Sequence, residues 1–164
     1  MLQNCEEKDI LKIIDKHSNM IYRLCFVYLK NKFDAEDAYQ DIFVKIFERA
    51  PEFLNDEHEK AWIIKVTSNH CKNILRYNAI KKHVLIDESI TASETINEDD
   101  TIKQILKLPL QYRSVLYLYY YEGYSSKEIA GILKKRDATI RTWLKRARER
   151  LKDLIGGDCN EKNI

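Results

Sequence analysis

The chain has 164 residues, 45% hydrophobic and 33% charged, and its 28 Lys plus Arg stand against 26 Asp plus Glu for a formal charge of +2. That length suits one domain or two small ones. Only four Gly and two Pro in so charged a chain point to helices with few tight turns, and exclude a collagen, a flexible linker protein and a disulfide knot.

The charge is unevenly placed. Residues 1–86 carry 14 basic and 13 acidic groups, residues 87–100 six acids and no base, and residues 101–164 14 basic and seven acidic groups. Nucleic-acid binding needs local positive potential, not a basic total. The chain reads as a mixed N-terminal domain, an acidic linker and a basic domain, with bounds expected at 1–83, 84–103 and 104–155 and a short tail over 156–164.

The stretch Met1 to Asp9 has neither a basic start nor an apolar core, so no secretory signal is expected. The longest apolar run, Val115 to Tyr121, falls far short of the roughly 20 residues that span a bilayer. No membrane insertion is expected, and the cytoplasm is the expected location. Cys5, Cys25, Cys71 and Cys159 are widely spaced, as are His17, His58, His70 and His83. No ligand pair has usable spacing, so no metal, disulfide framework or cofactor is expected.

Apolar residues three and four apart, Ile10, Ile13, Ile14, His17, Met20, Ile21 and Leu24, predict a first amphipathic helix. Asp34 offers an N-cap for a second helix that runs to Ala50, where Pro51 stops it. Its inward stripe is Ala38, Ile42, Ile46 and Ala50, with Tyr39, Phe43 and Phe47. The other side carries Asp37, Gln40, Asp41, Val44 and Glu48.

A third helix is predicted over about 57–80. Ile63, Val66, Thr67, His70 and Ile74 share one arc, with His70 expected in the core, and Lys65, Asn69, Lys72 and Arg76 cluster on the opposite side. That basic row suits phosphate tracking or simply a solvated face. Trp62 beside it is either core or a stacking surface for an unpaired base. The linker, rich in Ser, Thr, Asn and acids, predicts no packed element.

Pro109 suits the first turn of the next helix, through Tyr112, Val115, Leu116 and Tyr119 and ended by Gly123. The dense tyrosines from 117 to 124 are expected to pack their rings while their hydroxyls reach water. Ser125-Ser126-Lys127-Glu128 has capping-box spacing and predicts a helix that buries Ile129, Ala130, Ile132 and Leu133. After Lys134-Lys135-Arg136-Asp137, Asp137 is expected to cap a last helix from Ala138 to about Ile155, anchored by Ile140, Leu144, Ala147, Leu151 and Leu154 or Ile155. Ala138, Thr142, Lys145 and Glu149 lie opposite, flanked by Arg141 and Arg146. Two short helices joined by a brief turn, the second basic and exposed, match the motif that inserts a recognition helix into a major groove. Arginine there can pair with guanine and Thr142 can read a base edge, while Arg136, Arg148, Arg150 and Lys152 suit phosphates.

Two blocks together resemble the extracytoplasmic-function sigma factors of bacterial RNA polymerase. Asp34 to Lys45 followed by Ala61 to Asn69 resembles conserved region two. Leu108-Pro109 through Tyr112-Arg113, Glu122 to Ser125 with Glu128-Ile129-Ala130, then Thr139-Ile140-Arg141 and Arg146-Ala147-Arg148 resemble region four. The resemblance implies an all-α, two-domain initiation factor with no catalytic residues, which binds core RNA polymerase through its β′ and β subunits, recognises promoter DNA and is restrained by an anti-sigma factor. It implies polymerase contacts at Asp37, Gln40, Asp41 and Val44. Minus-10 DNA contacts are implied at Trp62, Lys65, Asn69, Lys72 and Arg76, aided by the loop around Phe53 to Glu59. Minus-35 contacts are implied at Arg136, Thr139, Arg141, Thr142, Lys145, Arg146 and Arg148. The linker is expected to thread through the polymerase.

This chain departs from the resemblance in having no glycine in the helix-turn-helix turn, in Trp143 and in Asn73. The alternative reading is a stand-alone helix-turn-helix regulator that binds a palindromic site without polymerase. An enzyme has against it the lack of a nucleophile elbow, a phosphate-cradling glycine loop or a metal-ligand pair.

Overall fold

The computed structural model describes residues 7–84 and 100–160, with side chains described for 7–81 and 100–156. Among the described residues there are seven α-helices and one π-helical turn, and no strand. The chain divides into two compact units, Met1–Ser93 and Glu94–Ile164. The acidic run lies mostly outside the described residues, as do Cys5 and the side chain of Cys159.

The first unit holds α1 (Glu7–Leu29), α2 (Lys32–Arg49) and α3 (Asp56–Val84), each packed on the other two. Ile10, Ile13, Met20, Ile21 and Leu24 form the buried stripe of α1, as their spacing requires. Ile21, Leu24, Ile42, Ile46, Ile63 and Ile64 are completely buried, and burial of such a side chain contributes about 1.5–3 kcal/mol. The α1–α2 turn is tight: Lys30 takes a left-handed backbone (φ 59°). The Asn31 side chain then accepts from the amides of Phe33 (2.8 Å) and Asp34 (3.2 Å). Helix α2 therefore starts two residues before the expected cap Asp34, because Asn31 already satisfies the first free amides.

Ala38, Ile42, Ile46 and Ala50 are buried as expected, but Phe47 is 54% exposed and belongs to the outer surface. Counting Phe47 inward widens the apolar arc beyond what two neighbouring helices cover. Cys25 and Cys71, far apart in sequence, are both completely buried. They share a hydrogen bond that, with burial, pushes the Cys71 thiol well above its ordinary range, so both behave as small core residues.

The second unit opens with α4 (Asp100–Leu106), which buries Ile102 and Ile105. The expectation of a linker reaching residue 103 is corrected here: Ile102 and Ile105, three apart, are already a packing face. Pro109 sits at the N-cap of α5 (Leu110–Leu116), where its carbonyl accepts from the amides of Tyr112 and Arg113, both at 3.0 Å. The helix then widens into a π-helical turn over Tyr117–Tyr121 before Gly123 (φ 73°) ends it. Helix α6 (Ser126–Leu133) and helix α7 (Asp137–Asn160) complete the unit, with Ile129, Ala130, Leu133, Ile140, Leu144 and Ala147 buried. Ile132 is half-buried and Ile155 exposed, so the packed stripe is narrower than the periodicity suggests.

Candidate functional site

The α6–turn–α7 motif is fixed by local chemistry. Ser125 Oγ accepts from the Glu128 amide at 3.2 Å and the Glu128 carboxylate accepts from the Ser125 amide at 2.8 Å, a complete capping box. Those bonds hold the Glu128 carboxyl below its usual range, the Ser125 backbone amide contributing most. Helix α6 ends on Lys134 in the left-handed region (φ 54°, ψ 48°), and the Lys135 amide donates to the Ala130 carbonyl at 2.9 Å. The glycine-free turn thus places Lys134 in the conformation that glycine adopts without strain and lysine only at a steric cost.

Asp137 is not the cap expected of it. It is the first helical residue, since the Arg136 carbonyl accepts from Ile140 at 3.1 Å. Its carboxylate accepts from Ser126 Oγ at 2.9 Å and pairs with Arg141 Nε at 3.3 Å, which ties the starts of the two helices together. Beyond this tie, Thr142, Lys145 and Arg146 are exposed, and Arg136 and Arg141 with them, while Thr139 is half-buried. Lys145 and Arg146 form no ion pair among the described residues. Thr142 Oγ1 donates to the Ala138 carbonyl at 2.9 Å, which leaves its methyl and an oxygen lone pair outward. A row of cationic groups thus stands on the opposite side of α7 from Ile140, Leu144 and Ala147.

Arg148 is placed differently from the other arginines of that row. Its Nε donates to Tyr120 Oη at 2.9 Å, and its guanidinium lies 5.0 Å from the Tyr119 ring centroid and 5.8 Å from that of Tyr120. Arg150 similarly stacks over Tyr112 at 5.0 Å. The tyrosines do pack their rings, as expected, but the Tyr117 hydroxyl donates to the Glu122 carboxylate at 2.8 Å and not to water. Trp143 is half-buried.

In the first unit, Asp37, Gln40, Asp41 and Val44 are all exposed on one side of α2, Val44 to 55%. Asp41 also meets His70 Nε2 of α3 at 3.2 Å. His70 is therefore half-buried and partnered, not a core histidine, because its helix face turns toward α2. Among the described residues the buried histidine is His17, whose Nε2 lies 2.7 Å from Glu59 Oε1 at the start of α3.

On α3, Asn69 and Arg76 are exposed and Lys65 and Lys72 half-buried, and their spacing of four, three and four along the helix puts these four on one face. Arg76 reaches Asn73 Oδ1 at 3.5 Å. Trp62 is half-buried against Phe53, ring centroids 5.6 Å apart. The loop before α3 is braced by His58 Nδ1 accepting from the Leu54 amide (3.2 Å) and by Asn55 Oδ1 accepting from the His58 amide (2.8 Å). Leu54 projects from it, 89% exposed. Sequence periodicity had no means of finding this brace or Asn31.

The family model for Sigma-70 region 2 matches residues 13–80 and that for Sigma-70, region 4, residues 99–151. RNA polymerase sigma factor SigV of Bacillus subtilis is 30% identical over 84% of this chain and 86% of its own length. The chain belongs to the RNA polymerase sigma factors. Its similarity to ECF RNA polymerase sigma factor SigW of the same organism, 29% over 87% of each chain, and to ECF RNA polymerase sigma factor SigM, 28% over 92% of this chain and 98% of the relative, places this sigma factor in the extracytoplasmic-function group. It is accordingly a promoter-directing subunit of RNA polymerase.

The same all-α fold is found in the sigma factor RpoE of Bartonella quintana, solved with the anti-sigma factor NepR (TM-score 0.74, 21% identity, 91% of this chain and 98% of that one). It also occurs in CnrH, solved with the cytosolic domain of CnrY (TM-score 0.68, 19% identity, 93% and 91%). No described helix of this sigma factor is long and apolar enough to cross a membrane.

Proposed function

We propose that this sigma factor divides promoter recognition between its two units and catalyses no reaction itself. The observation that carries the reading is the α6–turn–α7 motif, with the cationic row of α7 exposed on the opposite side from its buried stripe. In this reading Arg136, Thr139, Arg141, Thr142, Lys145 and Arg146 meet the minus-35 element, the arginines pairing with guanine and Thr142 reading a base edge or thymine methyl. On the first unit, Asp37, Gln40, Asp41 and Val44 dock on the β′ subunit of core polymerase. Trp62, Lys65, Asn69, Lys72 and Arg76 capture the non-template strand of the minus-10 element, and stacking of unpaired bases at about 1–3 kcal/mol each drives opening. Such a factor works in the cytoplasm with polymerase. Its fold neighbour RpoE was solved with the anti-sigma factor NepR, and a protein of that kind is the expected inhibitor here.

Reconstitution tests the reading: the purified chain is mixed with core polymerase and genomic DNA and the transcripts are sequenced. Promoter-specific initiation that needs both proteins is expected, and sequence-specific DNA binding without polymerase would favour the stand-alone regulator. Because Asp41 also partners His70, the docking surface is best probed by Asp37→Ala with Gln40→Ala. Affinity for core polymerase should fall with the helical content intact, and unchanged affinity removes the docking surface.

A further inference from the structure

We propose that Arg148 is a positioning residue for promoter recognition and not a phosphate contact, clamping the recognition helix to the tyrosine-bearing π-helical turn. The inference rests on the reading of α7 as the minus-35 reader. A recognition helix meets bases with its N-terminal residues, and Arg148 lies 11 residues beyond Asp137, roughly 16 Å along the axis. It also points about 120° away from Thr142 around the helix, on the flank between the outer arc and the buried stripe.

The guanidinium is engaged there in two ways, its Nε on the Tyr120 hydroxyl and its planar face by two rings. Tyr119 and Tyr120 are consecutive residues with centroids 5.0 Å apart and planes at 71°. A regular helix sends neighbouring side chains about 100° apart, whereas both of these rings reach one guanidinium at the widened π-helical turn. Single π turns inside helices occur often at functional sites. This one has an identifiable consequence: it supplies a two-ring seat for α7. Tyr117, buried, fixes the same turn from inside through Glu122 and by stacking with Tyr121 (5.5 Å, 14°). Both arginines are exposed, but Arg146, two residues earlier and on the other side of the helix, has no such tie. Two arginines of one Arg-Ala-Arg triplet therefore do different work, Arg146 meeting DNA and Arg148 setting the angle at which α7 is presented.

The test uses the full chain bound to core polymerase. The probe is a fluorescent promoter duplex obtained by the transcript sequencing above, compared with the same duplex carrying a scrambled upstream element, across about 50–200 mM salt. Arg148→Lys keeps the charge but loses the planar stack and the Nε donor, Arg148→Gln loses the charge as well, and Tyr120→Phe removes one hydroxyl. Both Arg148 variants are expected to weaken binding to the intact promoter by similar factors, roughly fivefold. Tyr120→Phe should weaken it less and add nothing to Arg148→Gln. The slope of log affinity against log salt should be unchanged in all three.

A phosphate contact gives the opposite pattern. Arg148→Gln would lower the slope by about 0.9, Arg148→Lys would be spared and Tyr120→Phe would be silent, and any of these results overturns the proposal. Where Arg148→Gln fails to fold, Tyr120→Phe decides alone, a loss of promoter affinity supporting the clamp and no loss refuting it. If the unmodified complex binds both duplexes equally, it is the minus-35 reading that fails; if it discriminates them and Arg148→Gln changes the slope, only the clamp fails.

Discussion

The two units hold their helices together by different means. In the first, the polar ties reach across the chain: His17 to Glu59 spans 42 residues, Lys16 to Glu59 43, and His70 to Asp41 29. In the second, the ties within the α6–turn–α7 motif itself are short-range, while Arg148 reaches Tyr120 outside it over 28 residues. The capping box closes over three residues and Ser126 reaches Asp137 over 11. The first unit also buries the hydroxyls of Thr67 and Ser68 with no hydrogen-bond partner among the described residues. Each such hydroxyl carries a cost in apolar surroundings, which the apolar burial along the long helices offsets. Helix α6, of only eight residues, depends on its caps and turns, since so short a helix buries too little surface to hold itself. Polymerase and single-strand contacts are thus assigned to a unit tied by distant pairs, and duplex reading to a motif whose caps and turn are closed by neighbours and which Arg148 ties to a more distant turn.

The difference is open to attack first at Glu59. Its removal in Glu59→Ala leaves the His17 ring buried without its carboxylate and takes one of two partners from Lys16. A buried polar group left unpaired costs about 1–3 kcal/mol, so the first unit should lose about 2 kcal/mol and the second none. The sequence supplies a convenient readout, because its two tryptophans are Trp62 in the first unit and Trp143 in the second. Urea unfolding followed by Trp62 fluorescence in a Trp143→Phe background should shift, and the Trp143 signal in a Trp62→Phe background should not. Equal shifts of both signals would mean that the units do not unfold separately.

The opposite sign is expected at Thr67. Its hydroxyl is buried and unpartnered, and replacing such a group with an apolar group of the same shape is neutral to stabilising. Thr67→Val should raise the stability of the first unit by about 1 kcal/mol, read by the same Trp62 signal. A loss instead would show that the hydroxyl has found a bond within the helix, and that the contrast in buried polar atoms is weaker than the structure indicates.

The same division explains which features could be read from sequence. Ser125 to Glu128, the inner stripe Ile140, Leu144 and Ala147, and the outer row Thr142, Lys145 and Arg146 are all set by spacing along one segment, and spacing is what periodicity reports. Two local features still escaped. Lys134 in the left-handed region has no residue signature, since lysine pays a steric cost there that glycine does not. Asp137 looked like a cap, but Ser126 and Arg141 occupy its carboxylate. In the first unit the exposed row of α2 and the shared face of Lys65, Asn69, Lys72 and Arg76 were legible for the same reason as in α7. His17 with Glu59, Asp41 with His70 and Phe53 with Trp62 were not, because a pairing between helices depends on their register and no spacing within one helix encodes it. The π-helical turn and its grip on Arg148 belong to this second kind, although the motif around them is local.

An effect of the same size, and the one that separates the units most cleanly, concerns the capping box. Ser125→Ala removes the acceptor for the Glu128 amide and should cost the second unit about 1 kcal/mol, visible at Trp143 and silent at Trp62. Acid provides an independent handle on the same motif. The Glu128 carboxyl is held below its usual range chiefly by the Ser125 backbone amide, so the unfolded chain, with a carboxyl near 4.3, binds its proton at a higher pH than the folded one. The stabilisation is therefore fully present above that value and is lost as pH falls through the lower folded pKa. Because the backbone amide survives in Ser125→Ala, most of that acid sensitivity should survive with it, whereas Glu128→Gln should abolish it. If Ser125→Ala flattened the acid dependence as fully as Glu128→Gln, the hydroxyl and not the amide would be the group that holds the carboxylate.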